Sequence, residues 1–113
     1  MPISDSSTLE TLQAAAAATG DGVEIDFTGL DVLAIQLSGT FVATVTFEGS
    51  IDGGETWAVV GMQPLAGGAV ATTATAPGIF VLPVAQTSLS HFRARVSAFT
   101  SGTVTAVSRK GYT

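Results

Sequence analysis

Stretches in which apolar and polar residues take turns at every second position run through most of this 113-residue chain, and they constrain its fold more than any other feature. In Val23-Glu24-Ile25-Asp26-Phe27, three apolar residues alternate with two acids. An extended backbone gives such a segment one dry and one wet face, whereas a helix would scatter the same residues around its circumference. Leu33, Ile35 and Leu37 alternate with Ala34, Gln36 and Ser38, and Phe41, Ala43, Val45 and Phe47 alternate with Val42, Thr44, Thr46 and Glu48. Ser38-Gly39-Thr40 between these runs is turn chemistry, so the pair reads as a hairpin. A second hairpin closes the chain: Phe92, Ala94, Val96 and Ala98 alternate with Arg93, Arg95 and Ser97, and Ser101-Gly102-Thr103 turns into Val104-Thr105-Ala106-Val107.

Further strands are expected near Thr56 to Met62, Ala69 to Thr75 and Ile79 to Val84, punctuated by Gly67-Gly68 and Pro77-Gly78. Many short strands with frequent turn signals indicate an all-β fold, an antiparallel two-sheet sandwich of jelly-roll or Ig-like type, as a single domain over residues 21–113. Residues 1–20 obey different local rules. Ser7-Thr8-Leu9-Glu10 reads as a capping box leading into Leu12-Gln13 and a run from Ala14 to Ala18, with Gly20 as a stop. The same small residues equally suit an extended arm or an edge strand, because tertiary pairing overrides propensity. Arm, edge strand and short helix all stay open.

Charge is sparse and unevenly placed. All nine acids lie between Asp5 and Glu55, whereas the four cations, Arg93, Arg95, Arg109 and Lys110, lie near the end, for a net charge of −5. That balance argues against nucleic acid, whose affinity comes largely from Lys and Arg on phosphates. No apolar run reaches the roughly 18 residues of a membrane helix, no signal peptide is visible, and a soluble protein is expected. The absence of cysteine removes disulfides and thiolate metal sites. Between Glu55 and Arg93 only His91 titrates. Such a neutral stretch either uses Thr, Ser and Gly as its polar surface or lies against another subunit, because interface cores are depleted of charge. If copies meet, Asp21, Asp26 and Asp31 are the acids expected to face Arg93, Arg95, Arg109 and Lys110 of a neighbour.

The sharpest motif is Ser50-Ile51-Asp52-Gly53-Gly54-Glu55-Thr56-Trp57, in which Ser50, Asp52, Gly54, Thr56 and Trp57 resemble the Asp-box of sialidases and related β-propellers. The chemistry suits a tight turn: the Asp52 carboxylate accepts bonds from backbone N–H groups, the glycines take positive φ, and Trp57 anchors the returning strand in the core. A propeller needs several blades and this chain has one box, so the resemblance implies a structural hairpin without sialidase activity. The competing reading makes Trp57 a platform for sugar rings, with Tyr112 or Phe99.

The inventory for catalysis is thin. His91 is the sole histidine, with no second His or Cys to join it as a metal site. Glu48 and Glu55 flank the turn, but acids bordering an exposed hairpin are more often its solvated rim than a glycosidase pair. Asp52 and Glu55 beside Gly53-Gly54 offer oxygens for calcium without the spaced acid series of an EF-hand. No catalytic residue, metal site or cofactor is expected, and the chain is expected not to be an enzyme.

The segment from Leu37 to Ser50, running into Asp52-Gly53-Gly54-Glu55-Thr56-Trp57, resembles one recurring in small virion-associated proteins of tailed bacteriophages. Thr19-Gly20-Asp21-Gly22 after the alanine run and the late Phe92-Arg93-Ala94-Arg95-Val96 fit the same pattern. The resemblance implies a non-enzymatic virion structural protein, a head decoration or cement protein assembled in the host cytoplasm. Its implied partners are the major capsid protein or another virion protein and further copies of itself. The alternatives are a carbohydrate-binding module of a phage tail or secreted protein, and a repeating unit of a fibre or tube.

Overall fold

The structure, a computed structural model, describes residues 9–30, 32–83 and 89–111, all of them in strands, turns or irregular segments. The strands are β1 (Glu10–Ala16), β2 (Ile25–Asp26), β3 (Val32–Ser38), β4 (Phe41–Ser50), β5 (Ala58–Val59), β6 (Gln63–Pro64), β7 (Thr73–Ala74), β8 (Gly78–Val81), β9 (His91–Gly102) and β10 (Val104–Gly111). They form two antiparallel sheets of five: β1-β10-β3-β8-β6, and β2-β9-β4-β5 with β7 also paired to β4. The expected all-β, two-sheet sandwich is what the chain adopts.

The alternation sets which side chains fill the space between the sheets. Leu33, Ile35 and Leu37 of β3, Ala43, Val45 and Phe47 of β4, Phe92, Ala94 and Val96 of β9, and Val104 and Ala106 of β10 all point inward and are buried. Phe47 is central, its ring 5.2 Å from that of Phe80 and 6.5 Å from that of Phe92. Burying aromatic rings of this size is worth about 2–3 kcal/mol each and dominates the stabilisation of so small a core. Neither expected hairpin forms: β3 pairs with β10 and β8 while β4 pairs with β9, so each Ser-Gly-Thr turn carries the chain from one sheet to the other. The two turns touch, with the Thr103 N–H donating to the Thr40 carbonyl at 3.0 Å. At Gly102, φ is +89° and a β-carbon would lie 2.0 Å from the Thr40 carbonyl oxygen, so only glycine closes that turn.

The alanine run is where the local rules lose. Glu10–Ala16 is an edge strand along β10, not a helix, with Glu10 opposite Ser108 and Ala16 opposite Val104. Without it β10 would present an open edge, and Leu12, 1 % exposed, would leave the core. Gln13 is buried as well, and its amide donates to the carbonyl oxygens of Ala94 at 2.8 Å and Gly20 at 3.2 Å. Ser7 and Thr8 of the capping box lie outside the described residues.

Elsewhere the strands are shorter than the alternation suggests. Val23 to Phe27 contributes only Ile25–Asp26 to a sheet, opposite Phe92 and His91. The expected strands after the Asp52 turn shrink to β5, β6 and β7, with an isolated Met62–Ala71 bridge between them. β8 ends at Val81, and Val84 lies outside the described residues.

Candidate functional site

The segment between β4 and β5 is organised by two side chains. Ser50, 2 % exposed, accepts hydrogen bonds at Oγ from the backbone N–H of Gly54 at 2.9 Å and Asp52 at 3.3 Å, and donates to Asp52 Oδ1 at 2.7 Å. Asp52 Oδ1 also accepts from the N–H groups of Thr56 at 2.9 Å and Glu55 at 3.2 Å. These bonds, the one from Thr56 first, hold the Asp52 carboxyl at a pKa of about 2. Ser90 braces the turn from outside: its Oγ accepts from Gly53 N–H at 3.0 Å and donates to the Ser50 carbonyl at 3.2 Å.

Trp57, expected in the core, is half-buried on the outer side of the second sheet. Its indole N–H donates to the Gly54 carbonyl at 2.9 Å, which closes the turn. The Arg93 guanidinium lies over its ring, 4.1 Å from the centroid. Arg93 and Glu48 are directly opposite in the β4–β9 register, so both point outward beside this ring. Glu48 is consequently 8 % exposed although it lies on the wet face. Arg93 Nε bonds it at 2.7 Å and Arg95 Nε at 3.3 Å, while Arg93 also pairs with Asp21 at 3.4 Å. Alternation alone gives no signal for this second buried layer, because it shows that Glu48 is outward but not that two arginines and a tryptophan lie over it.

The residues expected to pair between copies therefore make contacts within one copy. Arg93 meets Asp21, Arg95 meets Glu48, and Lys110 meets Glu10 at 3.0 Å and donates to the Asp26 carbonyl oxygen. Asp26 uses its carboxylate on the Thr28 N–H at 2.9 Å, the main reason its pKa is lowered. Arg109 is exposed on the outer side of the first sheet. Asp31 and Tyr112 lie outside the described residues.

His91 neighbours the Ser90 hydroxyl, its Nδ1 3.2 Å from Oγ, and lies opposite Asp26 across β2 and β9. Among the described residues, no group of three or more His, Asp or Glu side chains is placed to hold a metal ion. No helix among them is long and apolar enough to cross a membrane.

Three concave surfaces bear on binding. A groove of about 450 Å³ runs beside the turn, lined by Ile51, Asp52, Thr56, Trp57, Val59 and Leu89 among others. On the opposite side of the molecule, depressions of about 270 and 360 Å³ adjoin over Ala34, where a small side chain is surrounded by Val32, Ile79, Val81 and Val107. Arg109 borders both.

No protein-family model matches the chain. No curated protein matches its sequence. Solved structures do share its fold. The SPBc2 prophage-derived protein YomS superposes with a TM-score of 0.78 over 92 % of both chains at 14 % identity. The PBSX exported protein XepA superposes with a TM-score of 0.83 at 13 % identity, over 91 % of this chain and 37 % of XepA. At such identities the likeness is one of fold, and the chain corresponds to little more than a third of XepA.

Proposed function

We propose that this chain is a non-enzymatic structural protein of a tailed-phage particle, a head decoration or cement protein that binds the major capsid protein and further copies of itself. The observation that carries the reading is the fold shared along nearly the whole chain with a prophage-derived protein of matching length. It is supported by how the polar side chains are used: Glu48 is bridged by two arginines, and Asp52 is engaged by its own turn. Neither is left to act on a substrate. In this reading the Ser50–Trp57 turn is an Asp-box used as a brace. A capsid partner holds such a protein through many weak contacts at fixed geometry, so avidity replaces a single deep site.

The test is co-sedimentation of the purified protein with particles of the phage that encodes it, prepared without the protein. Saturable binding at a fixed copy number per particle is expected. A protein that stays in the supernatant at every concentration rejects the proposal.

A second reading is favoured by two observations: XepA is described as exported, and Trp57 lines a groove outside the core. It makes the chain a carbohydrate-binding module. A glycan array distinguishes it, since a sugar signal lost in a folded Trp57→Phe variant establishes the module, and silence across the array dismisses it.

A further inference from the structure

Among the described residues, five of the nine exposed large hydrophobic side chains gather around depressions, in two groups on opposite sides of the sandwich. Ile51, 74 % exposed, and Val59, 58 % exposed, flank the groove beside Trp57 on the outer side of the second sheet. Val32, Ile79 and Leu9 surround the depressions over Ala34 on the outer side of the first sheet. Single exposed apolar residues are ordinary, whereas apolar side chains gathered around a depression mark a contact surface.

The two sides also differ in charge. The outward positions of β3, β8 and β10 carry Arg109 and no acid. The side around the Trp57 groove is acidic. Asp21, Glu24, Asp52 and Glu55 border it, and its two arginines are already paired with Glu48 and Asp21. Glu24 belongs to this rim because its carboxylate lies against the backbone at Gly54.

We infer that a second copy of this chain occupies the outer face of the first sheet, presenting its acid-rimmed Ile51–Val59 side, so that Ile51 enters the depression over Ala34 and Arg109 meets the carboxylates of Asp52 and Glu55. The inference rests on the proposed assembly role and specifies its self-contact. One surface is apolar and concave with a cation at its border, and the other carries a protruding apolar side chain ringed by carboxylates. The shape and charge of this chain thus complement themselves. Because the patches are different and lie on opposite sides, the contact is head-to-tail. Repeating it produces a ring where the rotation closes and a filament where it does not.

The test uses the purified full chain in sedimentation velocity, with circular dichroism as the folding control. One double variant, Ile79→Asp with Arg109→Glu, alters the first-sheet side. The other, Ile51→Asp with Glu55→Arg, alters the acidic side. The wild type is expected to form species larger than a monomer that weaken as salt is raised, and each double variant to associate about 30-fold less or weaker still. An equimolar mixture of the two variants is expected to give a 1:1 dimer that grows no further, because one intact patch of each kind remains. Ala34→Arg fills the depression from an outward position and replaces the first variant if that one unfolds.

A wild type that is monomeric at millimolar concentration overturns the inference, as does a mixture that stays monomeric or a double variant that assembles like the wild type. Each of these results leaves the particle-binding assay to decide the assembly role separately.

Discussion

Ala15 adopts a φ of +50°, a conformation that a β-carbon makes costly and that glycine enters freely. It sits where β1 shifts register against β10, and its N–H donates to Thr105 Oγ1 at 3.1 Å, so the bulge is held from the neighbouring strand. Ala15→Gly is expected to stabilise the protein by about 0.5–1 kcal/mol, read as a higher urea midpoint at unchanged slope. Asp52 yields a pH prediction whose sign follows from its depressed pKa. The folded value is about 2 and the unfolded value near 3.9, so its contribution is complete above about pH 4 and is lost as pH falls through 2. Asp26 is shifted the same way. Asp52→Asn is therefore expected to lower stability at neutral pH and to flatten the fall in stability between pH 4 and 2, measured by urea unfolding across that range.

Strand β1 is the element in which sequence and context disagree most openly. Five alanines in a row favour a helix in isolation, but the edge of β10 offers backbone partners, and Leu12 and Gln13 fill inward positions that a helix at this site would vacate. Ala14 is exposed, so its substitution reports on the backbone alone. Ala14→Thr is expected to leave stability unchanged or to raise it by up to about 1 kcal/mol, because a β-branched residue suits a strand. A loss of stability in thermal unfolding would contradict the strand, since threonine weakens a helix relative to alanine. The β4–β9 pair shows the complementary case. Its long register carries the inward apolar row as expected, and its outward row becomes half a second core through Glu48, Arg93 and Trp57.

At the scale of the molecule, the N-terminal strand pairs with the C-terminal one, and β3 must find both β10 and β8 before the first sheet exists. Contacts this distant along the chain cost closure entropy before they stabilise anything. Refolding is accordingly expected on the millisecond-to-second scale in stopped-flow fluorescence from Trp57, and a microsecond phase carrying the full amplitude would contradict this topology. The same wiring separates the two surfaces proposed to meet, because each sheet turns its inner face to the other and leaves one outer face to the surroundings.

The period-two pattern was sufficient to show an antiparallel sandwich, its long strands and nearly every inward residue from Leu33 to Ala106, because a side chain's face in a strand depends only on its parity. It did not show that both Ser-Gly-Thr turns cross between the sheets, because pairing is chosen by strands distant in the chain. The Ser50–Asp52 turn was legible for a related reason: its bonds join residues no more than four apart. Three features depended on partners distant in the chain. The alanine run became a strand because β10 lay beside it, Trp57 went to the outer face because Arg93 and Glu48 were there, and the basic tail was paired because Asp21, Glu48 and Glu10 were folded against it. Local order records what one residue imposes on its neighbours, whereas pairing between residues distant in the chain is chosen by the free energy of the whole packed chain.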